Sequence, residues 1–213
     1  MAKTPAQRAA KHGEAATPPI AAAGSPQRTP QKAQSNANLL LIAGSVAALF
    51  LFWYFHLLTL NQMSGISGGL AMPDSMVLGF DVAHVEALRA AMDDDALGQL
   101  QFVHKTAGML FPLVFALISM TVIAMNVAKR AIRRMLWIIP IVFAAIQLWA
   151  NVAIDNMLGA DVLDAGSVTL ASTLVVLSWL FLVLSLVAMG VSLFLGRRRR
   201  HTSPADAGRG PAA

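Results

Sequence analysis

The chain has 213 residues, of which 56% are hydrophobic and 13% are charged, with a formal net charge of +5. An average soluble domain carries about a quarter charged residues, so this composition excludes a simple soluble globule, a disordered chain and a coiled coil. The chain has no cysteine, which excludes disulfides, cysteine-ligated zinc and iron–sulfur clusters.

The N-terminal segment, residues 1–37, is basic and rich in proline. Its five prolines are Pro5, Pro18, Pro19, Pro26 and Pro30. No apolar period runs through the segment, and such a composition is typical of disordered regions. We therefore predict a disordered cytoplasmic arm over residues 1–37 and a second basic tail over residues 197–213, where four arginines follow the last apolar stretch.

Four stretches are long and apolar enough to cross a bilayer, which takes about 20 helical residues. They cover about residues 39–60, 104–127, 135–155 and 168–195. The sequence thus predicts an all-α membrane protein, with a four-transmembrane-helix bundle over residues 38–196. A cleaved signal peptide would begin near the N-terminus and have a shorter apolar region, so we expect the first span to be retained.

The connection between the first two spans has two parts. Residues 61–79 contain glycine, serine and methionine and are predicted to be irregular, after which Asp81 is a typical helix N-cap. Apolar residues then recur at spacings of three and four, at Val82, Val85, Leu88 and Met92. This pattern predicts a short amphipathic helix in the first outer loop. One of the aspartates at 93–95 is expected to cap the helix that leads into the second span.

The basic residues are distributed very unequally between the two ends of the predicted spans. If the N-terminus is cytoplasmic, 14 of the 16 Lys and Arg residues and two of the 11 acids lie in the cytoplasm. The positive-inside rule then predicts a multi-pass protein of the bacterial cytoplasmic (inner) membrane with both termini in the cytoplasm. The same distribution accounts for the basic charge, so no nucleic-acid partner is expected.

The centre of every predicted span is free of formal charge, which argues against a proton pump, a voltage sensor or an ion-coupled transporter. His56 and His104 come from adjacent spans at similar depth and are candidates for ligating haem. His84 and Asp155 would be needed to complete a metal site with them. We favour the simpler interpretation, in which interfacial histidines turn a polar edge toward water, and expect neither cofactor nor metal.

The outer end of the third span carries the best candidate site. Asn151 and Asn156 bracket Asp155, and Lys105 lies at a similar depth at the start of the second span. These four residues predict a hydrogen-bonded polar cluster.

Small residues recur every seven positions on the fourth span, at Ala171, Ser178, Ser185 and Ser192. Small side chains let helices approach closely in lipid, where packing drives association. We expect a packing seam within the chain, with self-association through the same residues as the alternative.

Several short features of residues 79–195 resemble an uncharacterised family of small four-span bacterial inner-membrane proteins. They are Gly79-Phe80 before the amphipathic helix, Phe111-Pro112, Asp155-Asn156, Ala171-Ser172 and Trp179. The resemblance implies the four-span topology and a polar group at Asp155, and it implies no reaction. The chain departs from the family pattern at Gly108, where an Asp is common, and at Ser178, where a Lys is common.

The chain contains no phosphate-binding loop, nucleophile elbow or zinc-protease motif, so we do not expect an enzyme. Three roles stay open. The first is a structural or accessory protein that acts through helix–helix contacts or other membrane proteins. The second is a carrier or binding protein for a lipid or another apolar small molecule. The third is a redox protein that binds haem or metal through His56 and His104.

Overall fold

A computed structural model describes residues 30–201 and places side chains for residues 38–198. The predictions for residues 1–29 and 202–213, which include most of the basic arm and tail, lie outside the described residues. The chain divides into two compact units, Met1–Leu39 and Leu40–Ala213. In the first unit the described residues, 30–39, are helical.

The described residues 30–201 are mainly helical and contain no strand. The helices are α1 (Pro30–Phe52), α2 (Leu60–Ile66), α3 (Val82–Ala91), α4 (Asp94–Lys105), α5 (Ala107–Asn126), α6 (Arg130–Gly159) and α7 (Ala165–His201). A π-helical segment, Trp53–Thr59, joins α1 to α2, and Pro73–Ser75 form a short 3-10 helix.

Four helical stretches are long and apolar enough to cross a membrane, which confirms the four predicted spans and a multi-pass membrane protein. They are Asn38–Ile66, Asp94–Asn126, Arg130–Gly159 and Ala165–Arg198.

The first span is longer than predicted at both ends. Its helix begins at Pro30, inside the segment expected to be disordered, and α2 continues to Ile66. The prediction of irregular structure from residue 61 onward is therefore wrong for residues 61–66. Leu60 and Met63 are fully buried there, so their packing outweighs the poor helix propensity of the neighbouring glycine and serine. The predicted tail is helical as far as His201.

Helices α5, α6 and α7 pack against one another, whereas the first span is much less covered. Only 11% of the most apolar window of the first span is buried, against 33–44% for the other three spans. The largest group of buried apolar residues, which includes Phe55, Leu88, Leu100 and Met157, lies where residues 55–107 meet the end of α6 and the start of α7. We call this part of the molecule the loop end.

Two aspartates cap helices at the loop end, as predicted. The Asp81 carboxylate accepts a hydrogen bond from the backbone N–H of His84 at 2.9 Å, and Asp93 accepts from the N–H of Ala96 at 2.8 Å. The loop before α3 is tied to α7 at Gly79, whose φ is +87°. A Cβ at this position would lie 2.6 Å from Oγ of Ser172, so only glycine allows so close an approach.

The small residues of α7 lie inside the helix packing of this chain. Ala171, Ser178, Ser185 and Ser192 are at most 3% exposed. The three serine hydroxyls donate to carbonyl oxygens of α7 itself, which satisfies them without a partner helix. Self-association through these residues would have to displace contacts that the chain already makes.

Candidate functional site

His104 lies at a break in the second span, where α4 ends and α5 begins. The break is at Thr106, whose φ of −111° and ψ of −90° are not helical. The His104 side chain is only 1% exposed. The expectation that this histidine turns a polar edge toward water is therefore wrong, because the ring is enclosed by the protein.

Each ring nitrogen of His104 contacts a carboxylate. Nε2 lies 3.0 Å from Oδ2 of Asp74, and Nδ1 lies 2.6 Å from Oδ1 of Asp155. The Asp74 side chain is fully buried, while that of Asp155 is 15% exposed. We call these three residues the Asp–His–Asp triad. It joins the loop after the first span to the second and third spans.

The two contacts of the triad determine its total charge. A neutral imidazole has one N–H, whereas two hydrogen bonds to carboxyl groups require two hydrogens. Either the ring carries both, or one aspartate is protonated, and in both cases the triad has a total charge of −1. Charged side chains are tolerated in a protein interior only when each has a hydrogen-bonding or oppositely charged partner.

Asp74 is the residue of the candidate site that the sequence did not indicate. It lies in a turn with no apolar periodicity, 30 positions before His104, so no spacing pattern connects the two. The indole N–H of Trp179 donates to the Asp74 carbonyl oxygen at 3.0 Å, which fixes the turn against α7.

His56 lies in the π-helical segment and is surrounded by aromatic rings. Its centroid is 4.8 Å from that of Phe52, 4.7 Å from Phe55, 5.5 Å from Phe111 and 5.2 Å from Trp179. Its Nδ1 is buried and makes no hydrogen bond. Short π-helical stretches are frequent at functional sites because they change the direction of side chains within a helix.

The structure gives no support to haem ligation by His56 and His104, because both ring nitrogens of His104 already face carboxylates. Among the described side chains, no group of three or more histidines and carboxylates is arranged to hold a metal ion. The triad residues point at one another rather than at a common centre. His84 lies elsewhere, with Nε2 bonded to the Ala71 carbonyl oxygen at 2.9 Å.

The four residues of the predicted polar cluster line a single cavity of about 400 Å³, the loop-end cavity. Its walls consist of Gln101, His104, Lys105, Met109, Leu148, Asn151, Val152, Asp155 and Asn156. The pairing differs from the one we expected, because the partner of Asp155 is His104. No ion pair joins Lys105 to Asp155 in the part of the chain that the structure describes.

Asn151 has an unsatisfied donor at the wall of the loop-end cavity. Its Oδ1 accepts a hydrogen bond from Gln147 at 3.0 Å, but its Nδ2 is buried and has no partner. A Cβ on Gly108 would lie 2.8 Å from this nitrogen. The glycine therefore makes room for the Asn151 amide and offers no side chain to bond it.

A second cavity, of about 420 Å³, lies between α1, α5 and α7, and we call it the apolar cavity. It is lined by Ser45, Ala48, Leu49, Phe52, Phe111, Phe115, Ile118, Ser119, Trp179, Leu182, Val183, Leu186 and Met189. Three of these residues, Phe52, Phe111 and Trp179, also contact the ring of His56. The histidine therefore lies behind these three walls and does not itself line the cavity.

The chain matches no family model, no curated protein and no solved structure. Its function must therefore be inferred from the site itself, which is a buried Asp–His–Asp triad bordering the loop-end cavity, and from the separate apolar cavity, in a multi-pass membrane protein.

Replacing His104 by Leu is expected to lower the free energy of unfolding by about 3 kcal/mol or more. The leucine nearly conserves the volume but leaves the buried carboxylate of Asp74 without a partner. The matched control is His84→Leu, which removes one hydrogen bond of an exposed ring and is expected to cost about 1 kcal/mol at most. Reversible unfolding in mixed micelles measures both, and equal losses would show that the triad does not stabilise the fold.

Proposed function

We propose that the protein binds a lipid or another apolar small molecule within the membrane, as a binding protein or carrier. The apolar cavity is the observation that supports this role over the structural or accessory one. A protein that acts only through contacts between packed helices gains nothing from a gap between them, since each unfilled volume forfeits packing energy.

The apolar cavity has the size and walls that a small-molecule site requires. Ligand sites enclose about 300–1,000 Å³ and are lined mainly by apolar and aromatic side chains with a few polar groups. Here the walls are aromatic and aliphatic, and the hydroxyls of Ser45 and Ser119 are the polar exceptions. The Ser119 hydroxyl is already bonded to the Phe115 carbonyl oxygen, so the interior favours hydrocarbon.

The position of the cavity allows entry from the bilayer. One of its walls is α1, which belongs to the least buried span, so a molecule dissolved in lipid can enter beside it without crossing water. His56 lies against Phe52, Phe111 and Trp179 and does not itself line the cavity. A molecule with an apolar body suits this arrangement.

A variant that fills the cavity tests the proposal. Ala48 lines the cavity and is 7% exposed, whereas its neighbour Ala47 is exposed and does not line it. We expect Ala48→Trp to lower the amount of co-purified apolar ligand at least tenfold, and Ala47→Trp to leave it unchanged. Native mass spectrometry of the protein released from native membranes measures the bound mass.

A wild-type protein that is empty in several lipid mixtures would contradict the binding role. If it instead co-purifies with a stoichiometric membrane-protein partner, the accessory role is supported.

We further propose that both termini are cytoplasmic and that the protein resides in the inner membrane of a bacterium, on the basis of the unequal distribution of Lys and Arg. Because the chain has no cysteine, a single introduced thiol reports one location. Ala165 at the loop end and Ala128 between α5 and α6 are both exposed.

In spheroplasts, a membrane-impermeant maleimide is expected to label Ala165→Cys at once and Ala128→Cys only after permeabilisation. The two variants make the same chemical change at opposite ends of the spans, so each is the control for the other. Labelling of Ala128→Cys in intact spheroplasts would reverse the orientation.

A further inference from the structure

We propose that the loop-end cavity binds the phosphoethanolamine head group of an aminophospholipid. This site is separate from the apolar cavity and goes beyond the function proposed above. The head group carries a phosphate and a primary ammonium, and the walls of the cavity offer a group for each.

The cavity combines polar and apolar walls in the way that a lipid requires. Its polar residues lie where α4 and α5 meet the end of α6, and its apolar walls include Met109 and Val152. These two side chains are 44% and 56% exposed on helices that span the membrane, so this side of the cavity continues into the surface that contacts acyl chains. A lipid can therefore place its head group in the cavity while its chains stay in the bilayer.

Two donors are available for the phosphate. The ammonium group of Lys105 belongs to an exposed side chain at the rim, and Nδ2 of Asn151 lacks a partner although the residue is only 3% exposed. A buried amide without an acceptor is unfavourable. Phosphate oxygens accept from both groups, and hydrogen bonds to charged acceptors are the stronger kind.

The triad provides the contact for the ammonium group of the lipid. Asp155 is its one partly exposed member and lines the cavity, and the triad as a whole has a charge of −1. The negative charge of the triad and the positive charge of Lys105 sum to zero. A zwitterionic head group therefore leaves no uncompensated charge, whereas an anionic head group leaves one negative charge at a site that already contains a carboxylate.

The chemistry of the walls also distinguishes ethanolamine from choline. A primary ammonium donates hydrogen bonds, and the cavity is lined by Asp155, Asn156 and Gln101, whose side chains carry oxygen acceptors. A trimethylammonium group donates none and is recognised by faces of aromatic rings. No tryptophan, tyrosine or phenylalanine lines this cavity, so the site favours ethanolamine.

Native mass spectrometry of the full chain in micelles with equal amounts of phosphatidylethanolamine, phosphatidylcholine and phosphatidylglycerol tests the proposal. We expect phosphatidylethanolamine to be retained at least tenfold over the other two. Lys105→Gln keeps a long polar side chain at an exposed position but removes the cation that meets the phosphate, so it is expected to lower the retention of phosphatidylethanolamine at least tenfold. Lys129→Gln, the same change at an exposed position away from the loop end, is expected to preserve it.

Two further arms identify the occupant and separate this site from the apolar cavity. Glycerophosphoethanolamine has the head group without acyl chains. At a concentration equal to that of the lipid, it is expected to displace no phosphatidylethanolamine. Displacement would mean that the site binds a soluble molecule with a phosphate and an amine, and not a lipid. Ala48→Trp is expected to retain phosphatidylethanolamine. The proposal would be overturned if the three lipids were retained equally, or if both lysine variants had the same effect. Either result would mean that the protein carries an adventitious lipid only.

Discussion

The arrangement of the loop end depends on the hydrogen bonds between His104 and the carboxylates of Asp74 and Asp155. Burial of these groups is unfavourable unless each has a partner, so the loop after the first span must fold to bring Asp74 to the ring. Once it is there, the Trp179 indole bonds the Asp74 backbone and joins the turn to α7. The two contacts of His104 and the Trp179 hydrogen bond thereby hold the loop and three of the four spans together.

The loop-end cavity borders the triad, since His104 and Asp155 are among its walls. The apolar cavity is linked to the triad through Trp179, which lines it and bonds the Asp74 backbone. The first cavity offers opposite charges and the unsatisfied amide of Asn151, and the second offers hydrocarbon walls. The charge-free centre of the spans suits an apolar molecule, which needs no polar group to compensate it at that depth.

Much of the fold follows from the sequence because apolar length and helix caps are local properties. The four spans and the caps at Asp81 and Asp93 needed no knowledge of tertiary contacts. Residue count along the spans placed Asp155 at a similar depth to Lys105, and both line one cavity, but the hydrogen-bond partner of Asp155 is His104. Asp74 was not found, because its partner is distant in the chain and the turn that holds it has no periodicity. The π-helical segment around His56 left no recognisable pattern either.

A double-mutant cycle between Asp74 and His104 tests the central interaction most directly. The free energy of unfolding is measured for the wild type, Asp74→Ala, His104→Ala and the double variant under one set of micelle conditions. If the two side chains act as a unit, the effects are non-additive by about 2 kcal/mol, within the range found for residues in direct contact. Effects that add to within about 0.5 kcal/mol would contradict the account, because separate sites behave in that way.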